Sequence, residues 1–302
     1  MRSTSTCPDA RESTNLGLYT RAAEKSSARV IREYSTSFTG ASRLLDRADR
    51  PHIENIYALV RIADEVVDGA AQEAGLNATE QQALLDALEA ETERAVAHGY
   101  STNLVVHGFA TTARASGIDS DLTAPFFRSM RRDLSPVAFT EAELREYIYG
   151  SAEVVGLMCL RVFLRDTDPD ARQRAELENG ARRLGSAFQK INFLRDLSTD
   201  WQELGRSYFP GVCQGDLTES HKRELVADIE ADLAAAAVTI PLLPQPCRRA
   251  VRAAHDFFAE LTHRIRRTPV DSLMRTRVRV PAATRVRLLA RVVVTGSERT
   301  PA

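Results

Sequence analysis

Apolar residues return at three- and four-residue intervals along most of the chain. The pattern predicts helical segments at about 20–45, 51–68, 79–98, 102–116, 122–133, 141–165, 169–201, 219–238, 245–267 and 281–294. In 141–165, Leu144, Ile148, Ala152, Val155, Cys159 and Val162 form one stripe, and the other faces are also rather apolar, so this segment is expected at the centre of a bundle. Thr79 with Gln82, and Thr140 with Glu143, have the spacing of capping boxes and mark two helix starts. Pro51 suits a first turn, whereas Pro136, Pro210, Pro241, Pro244 and Pro269 sit in or beside breaks. The run Arg291-Val-Val-Val-Thr has a local strand preference that the helical period upstream outweighs. No βαβ alternation, GxGxxG, P-loop or GxSxG motif appears, so the predicted fold class is all-α. With no linker or repeat, we expect one domain over 19–295, a flexible segment at 1–18 and a short tail at 296–302.

Composition narrows the class further. A chain of 302 residues, 43% hydrophobic and 27% charged, can bury a real core and is neither disordered nor a disulfide-stapled mini-domain. Its net charge of -1 offers no global field for nucleic acid. Cys7, Cys159, Cys213 and Cys247 stand far apart, and the six histidines (His52, His98, His107, His221, His255 and His263) lack a HExxH array. Disulfides and zinc are therefore not expected, and a reducing cytoplasm fits. The N-terminus lacks an apolar leader, and apolar stretches such as Val154 to Leu160 stop short of the ~20 residues of a membrane span; peripheral attachment stays open. Only Lys25, Lys190 and Lys222 are lysines. From Arg248 onward 13 arginines face four acidic residues, which reads as a solvated surface or as a contact with phosphate or anionic lipid.

Two stretches carry chemistry. In Tyr57-Ala-Leu-Val-Arg61-Ile-Ala-Asp64-Glu65-Val-Val-Asp68 a four-residue interval aims Asp64 and Asp68 to one side of a helix, with Arg61 and Tyr57 near that face. Alone this is a solvated acidic helix end or a Mg²⁺ site, since oxygen ligands suit that hard ion. In Gln189-Lys190-Ile-Asn192-Phe-Leu-Arg195-Asp196-Leu-Ser-Thr-Asp200 the interval recurs as Asp196 and Asp200, with Asn192 and Gln189 on the same face. Two such helices across a cavity could hold Mg²⁺ against a diphosphate, with Arg61, Arg195 or Lys190 neutralising phosphate oxygens.

Those residues, with Tyr34-Ser35-Thr36-Ser37-Phe38 and Arg206-Ser-Tyr208-Phe209-Pro210, resemble in order the motifs of the squalene and phytoene synthase family over about residues 25 to 290. The resemblance implies an isoprenoid synthase-type helical bundle around a central cavity, in a Mg²⁺-dependent prenyltransferase, with Mn²⁺ as a substitute. It implies head-to-head condensation of two prenyl diphosphates through a cyclopropylcarbinyl diphosphate. The bacterial carotenoid synthases look most similar, so phytoene from two geranylgeranyl diphosphates leads, without NADPH; squalene or dehydrosqualene from farnesyl diphosphate is the alternative, as, further off, is a noncatalytic interaction protein. By this resemblance Asp64, Asp68, Asp196 and Asp200 are metal ligands, and Arg61 and Arg195 the diphosphate clamps. Ser35, Ser37, Gln189, Lys190, Asn192, Arg206 and Tyr208 are polar contacts, Phe38 an aromatic neighbour of the reacting chains, and Tyr57 and Tyr149 either cavity-lining aromatics near cationic carbon or core tyrosines. In Tyr149-Gly150-Ser151-Ala152-Glu153-Val154-Val155-Gly156, Glu153 stands where relatives commonly have glycine, and Phe257 where they often have tyrosine. An apolar product implies transient contact with the inner face of the membrane.

Overall fold

In a computed structural model, residues 14–135, 139–197 and 217–295 are described, and they contain helices and no strand. The predicted all-α class is what the chain forms. The helices are α1 (Asn15–Tyr34), α2 (Thr36–Ser42), α3 (Arg50–Asp68), the single turn α4 (Ala70–Glu73), α5 (Ala78–His98), α6 (Leu104–Ser116), α7 (Ser120–Asp133), α8 (Glu141–Ile148), α9 (Val154–Leu164) and α10 (Ala171–Arg195). After residue 216 come α11 (Glu219–Thr239), α12 (Gln245–Arg267), α13 (Val270–Leu273) and α14 (Ala282–Thr295).

The boundaries follow from caps. Thr14 accepts the Gly17 N–H at 3.0 Å and starts α1 upstream of position 20, so residues 15–18 of the segment expected to be flexible are helical. The predicted single segment 20–45 is two helices, because Ser35 is extended (φ -141°, ψ 111°) and its hydroxyl accepts the Phe38 N–H, ending α1 and starting α2. The box at Thr140 and Glu143 forms as expected. The other start is two residues earlier than predicted: Asn77, a better cap than Thr79, boxes with Glu80 rather than Thr79 with Gln82. Gly99 and Gly117 close α5 and α6 in the left-handed region, at φ 80° and 66°. Pro51 lies in the first turn of α3, and Pro244 and Pro269 cap α12 and α13. The valine run at 291–294 is helical, in α14.

Helix α8 runs through a π turn at Tyr149–Glu153 into α9. By length and composition, Glu141–Leu164 would suffice to cross a bilayer, with mean hydropathy 1.4 over its best window, which shorter unbroken stretches did not suggest. Half of that window is buried, in the place of a core helix. Close contact requires its glycines. A Cβ on Gly150 would stand 2.3 Å from the Pro125 carbonyl oxygen, one on Gly156 2.6 Å from that of Ala181, and one on Gly185 of α10 2.5 Å from that of Ala152. Backbones of α9 and α10 therefore touch, and the chain is widened at the π turn beside them.

Two apolar clusters flank this spine. One joins Ile56, Leu59 and Val67 of α3 to Leu85, Phe109, Phe126 and Met158; the other joins Ile191 and Leu194 of α10 to Ile229, Phe258 and Ile265. One cluster fixes α3, which carries Asp64 and Asp68, the other fixes α10, which ends at Asp196, and a cavity lies between them.

Candidate active site

The cavity has a volume of about 550 Å³. Tyr57, Arg61, Asp64 and Asp68 line it from α3, and Gln189, Asn192, Arg195 and Asp196 from the end of α10. Below these polar residues the wall is apolar and rich in small side chains, including Ala41, Ala152, Gly156, Ala181, Ala250 and Ala254. On α10 the lining runs from Asp196 back to Leu177, roughly 28 Å of helix at 1.5 Å per residue.

On α3 the cation is already engaged. Arg61 donates from Nη2 to Glu65 and holds Nη1 3.8 Å from Asp64, and its guanidinium lies 4.4 Å from the Tyr34 ring centroid. Burial opposes the Arg61 charge, but the bond to Glu65 and the charges of Asp64 and Glu65 hold its pKa above the ordinary value. Burial, with Asp68 and Glu65 nearby, pushes the Asp64 carboxyl up to about 7 against the pull of Arg61. Tyr57 is also raised, mainly by burial, with Arg61 and a hydrogen bond with Ser35 acting oppositely.

On α10, Asp196 is the C-cap. Arg195 grips it through Nε at 2.9 Å and Nη2 at 2.5 Å, and Arg277 adds Nε at 2.7 Å. Burial and the neighbouring Arg195 press the Arg277 pKa downward. Buried polar atoms on this wall, Arg61 Nε, Asn192 Oδ1 and Ser151 Oγ, have no hydrogen-bond partner among the described residues, so the site is built for a polar occupant. Phe38 closes the aromatic side, with ring centroids 5.9 Å from Tyr57, 6.0 Å from Phe188 and 5.8 Å from Phe258.

Among the proposed site residues, Ser35, Phe38, Tyr57, Arg61, Asp64, Asp68, Gln189, Asn192, Arg195 and Asp196 share this cavity. Asp200, Arg206, Tyr208 and the Ser37 side chain lie outside the described residues. Lys190 is absent from the lining: it bonds Asp228 at 2.5 Å and the buried Asp232 at 2.8 Å, tying α10 to α11. Tyr149 is also off the wall, packed on the α3-side cluster with Arg182 5.3 Å from its ring centroid. Tyr147 lines the cavity in its stead and donates to Asp133 at 2.9 Å. Glu153 pairs with Arg182 at 2.7 Å, and Phe257 packs edge-on against Phe258 outside the lining. Sequence reasoning missed Glu65, legible as the i+4 partner of Arg61, and Arg277, one arginine of a basic stretch that carries no helical register.

A divalent ion fits the donor set. Burial, and then the neighbouring Asp68 and Glu65, disfavour the charge of Asp64, and a hard cation would relieve that cost. As the side chains stand, no group of three His, Cys, Asp or Glu among the described residues is close enough to hold a metal, and arginines occupy the Asp196 carboxylate.

The described residues form an all-α fold in which Asp64 and Asp68 of α3 and Asp196 at the end of α10 meet on one largely apolar cavity. The squalene/phytoene synthase family model matches residues 31–284, and the chain belongs to that family of prenyltransferase-type enzymes. It is 28% identical over 278 residues to a 15-cis-phytoene synthase of Paracoccus sp., covering 87% of this chain and 88% of that one. It is 33% identical over 208 residues to a phytoene synthase of Thermus thermophilus, covering 68% and 64%. Of the length of the chloroplastic phytoene synthase 3 of Zea mays, the match spans 41%, covering 60% of this chain at 33% identity. Among solved structures, a dehydrosqualene synthase superposes with TM-score 0.76 at 20% identity, covering 94% of this chain and all of that one. A squalene synthase of Alicyclobacillus acidocaldarius gives 0.71 at 22%, covering 86% and 98%. These show the isoprenoid synthase-type fold.

Proposed function

We propose that the protein joins two geranylgeranyl diphosphates head to head into phytoene, through a cyclopropylcarbinyl diphosphate and with release of both diphosphates. The observation that carries this reading is a cavity whose mouth holds Asp64, Asp68 and Asp196 and whose body is apolar for several helical turns. Relatives named phytoene synthase support the choice of substrate, as does a wall rich in alanine and glycine that leaves length for tails.

Asp64, Asp68 and Asp196, with Asp200 beyond the described residues, would hold Mg²⁺. When bound, the ion supplies Lewis-acid stabilisation of the diphosphate leaving group. The chain's own residues do the rest. Arg61, Arg195 and Arg277 present guanidinium N–H groups to phosphate oxygens at the mouth. Ser151 Oγ can donate to a phosphate oxygen, whereas Asn192 Oδ1, an acceptor, would face the cation. The aromatic rings of Phe38 and Tyr57 face the reacting carbons, where a ring face favours cationic charge and the packing excludes water. The apolar wall holds the two tails side by side so that the reacting ends meet.

Asp64→Asn and Asp196→Asn test the site. Each should lower diphosphate release at least a hundredfold while circular dichroism stays helical; wild-type release from both would refute it.

A further inference from the structure

Along the seam between α2 and α12 the cavity is lined by Ala41, Ala250, Val251 and Ala254. Helix α14 lies across that seam. Its Val292 is buried against Ala41 and Ala253, its Leu289 packs beside Ala254, and Arg285 donates to Thr36. Gly40 lets the two elements meet, since a Cβ there would stand 3.2 Å from Leu289 Cδ1.

The outward side of α14 is apolar as well. Ala283, Val286, Ala290 and Val293 follow one another at intervals of three, four and three and are all exposed, Val286 at 66% and Val293 at 47%. Arg287 and Arg291 border this stripe on one flank, both exposed. Helix α14 contains three arginines, Arg285, Arg287 and Arg291, and no acidic residue, in a chain whose net charge is -1. A solvated helix would spend that outward face on mixed charge; a second protein surface would call for no such one-signed border. Aliphatic side chains between arginines match instead the acyl boundary and phosphate layer of an anionic bilayer.

We propose that the outward face of α14 docks on an anionic lipid surface, so that α14 lies between the α2–α12 seam of the cavity and the membrane. The aliphatic stripe enters the interface, and Arg287 and Arg291 meet lipid phosphates. The proposal goes beyond the reaction assigned above, and its test contains no prenyl substrate, so either can fail alone.

Purified protein is floated with vesicles of phosphatidylcholine alone or with phosphatidylglycerol, at low and high salt. We expect binding to phosphatidylglycerol vesicles that weakens with salt. The double variant Arg287→Ala/Arg291→Ala should partition about thirty-fold less, two arginines each worth about 1 kcal/mol at such a surface. Val286→Asp/Val293→Asp should abolish flotation, with circular dichroism and monodispersity showing that both variants stay folded. Tyr100→Ser, which removes an exposed aromatic on another face, should bind like the parent. Absence of flotation, equal binding to neutral vesicles, binding unchanged in both α14 variants, or variants that alter oligomeric state instead of lipid binding would each overturn the proposal.

Discussion

Arg277, in the segment after α13, reaches Asp196 at the end of α10 and places Nε 2.7 Å from Oδ1, across 81 positions of sequence. Together with Arg195 it gives that carboxylate two guanidinium partners. In the proposed reaction a phosphate group entering the mouth would take over those donors and leave the carboxylate to a cation.

Arg277→Gln should therefore weaken substrate use more than it weakens the fold. We expect kcat/KM to fall ten- to a hundredfold, chiefly through KM, with a thermal midpoint close to that of the parent. Unchanged steady-state constants would remove Arg277 from the site.

Lys190 behaves differently although it lies one residue from Gln189. Its ammonium sits between Asp228 and Asp232, and Asp232 is also held by Arg183 at 2.9 Å and Ser186 at 2.8 Å. Lys190→Met should cost about 1–3 kcal/mol of unfolding free energy, read in urea, and leave KM for the prenyl diphosphate unchanged. A raised KM with unaltered stability would return Lys190 to the substrate.

That contrast shows what the sequence could convey. Four-residue periodicity placed Asp64 and Asp68 on one face, and Asn192 and Asp196 on one face, because helical geometry is local. It could not assign Lys190, whose direction depends on α11 packing beside α10, nor decide between Tyr147 and Tyr149, because the π turn changes which residue meets the cavity. Gly156 and Gly185 were visible as glycines, but their cause is the carbonyl each meets on a different element. The split at Ser35 was missed because a serine hydroxyl suits a helix surface and a cap alike.

His52 supplies a pH signature away from the aspartates of the cavity. Its Nδ1 lies 2.9 Å from Thr112 Oγ1, and burial, aided by Arg165 and opposed by Asp166, lowers its pKa from 6.5 to about 4; Asp49 is held by the same Arg165. The native state thus refuses a proton that the unfolded chain accepts. Above pH 6.5 both states are neutral here and nothing is lost. Between pH 6.5 and 4 stability falls as pH falls, by up to about 3 kcal/mol from this group. Urea midpoints at pH 7.5 and 5 should separate strongly in the parent and less in His52→Gln; equal separation in both would place the acid sensitivity elsewhere.

The reaction itself gives the most direct test. Purified protein with Mg²⁺ is supplied with geranylgeranyl or farnesyl diphosphate separately, with and without NADPH, and the extracted hydrocarbons are identified together with the diphosphate released. We predict a C40 hydrocarbon, phytoene, from geranylgeranyl diphosphate alone, two diphosphates per molecule and no response to NADPH. A C30 hydrocarbon from farnesyl diphosphate, or prenyl alcohol with no coupled product, would contradict the account.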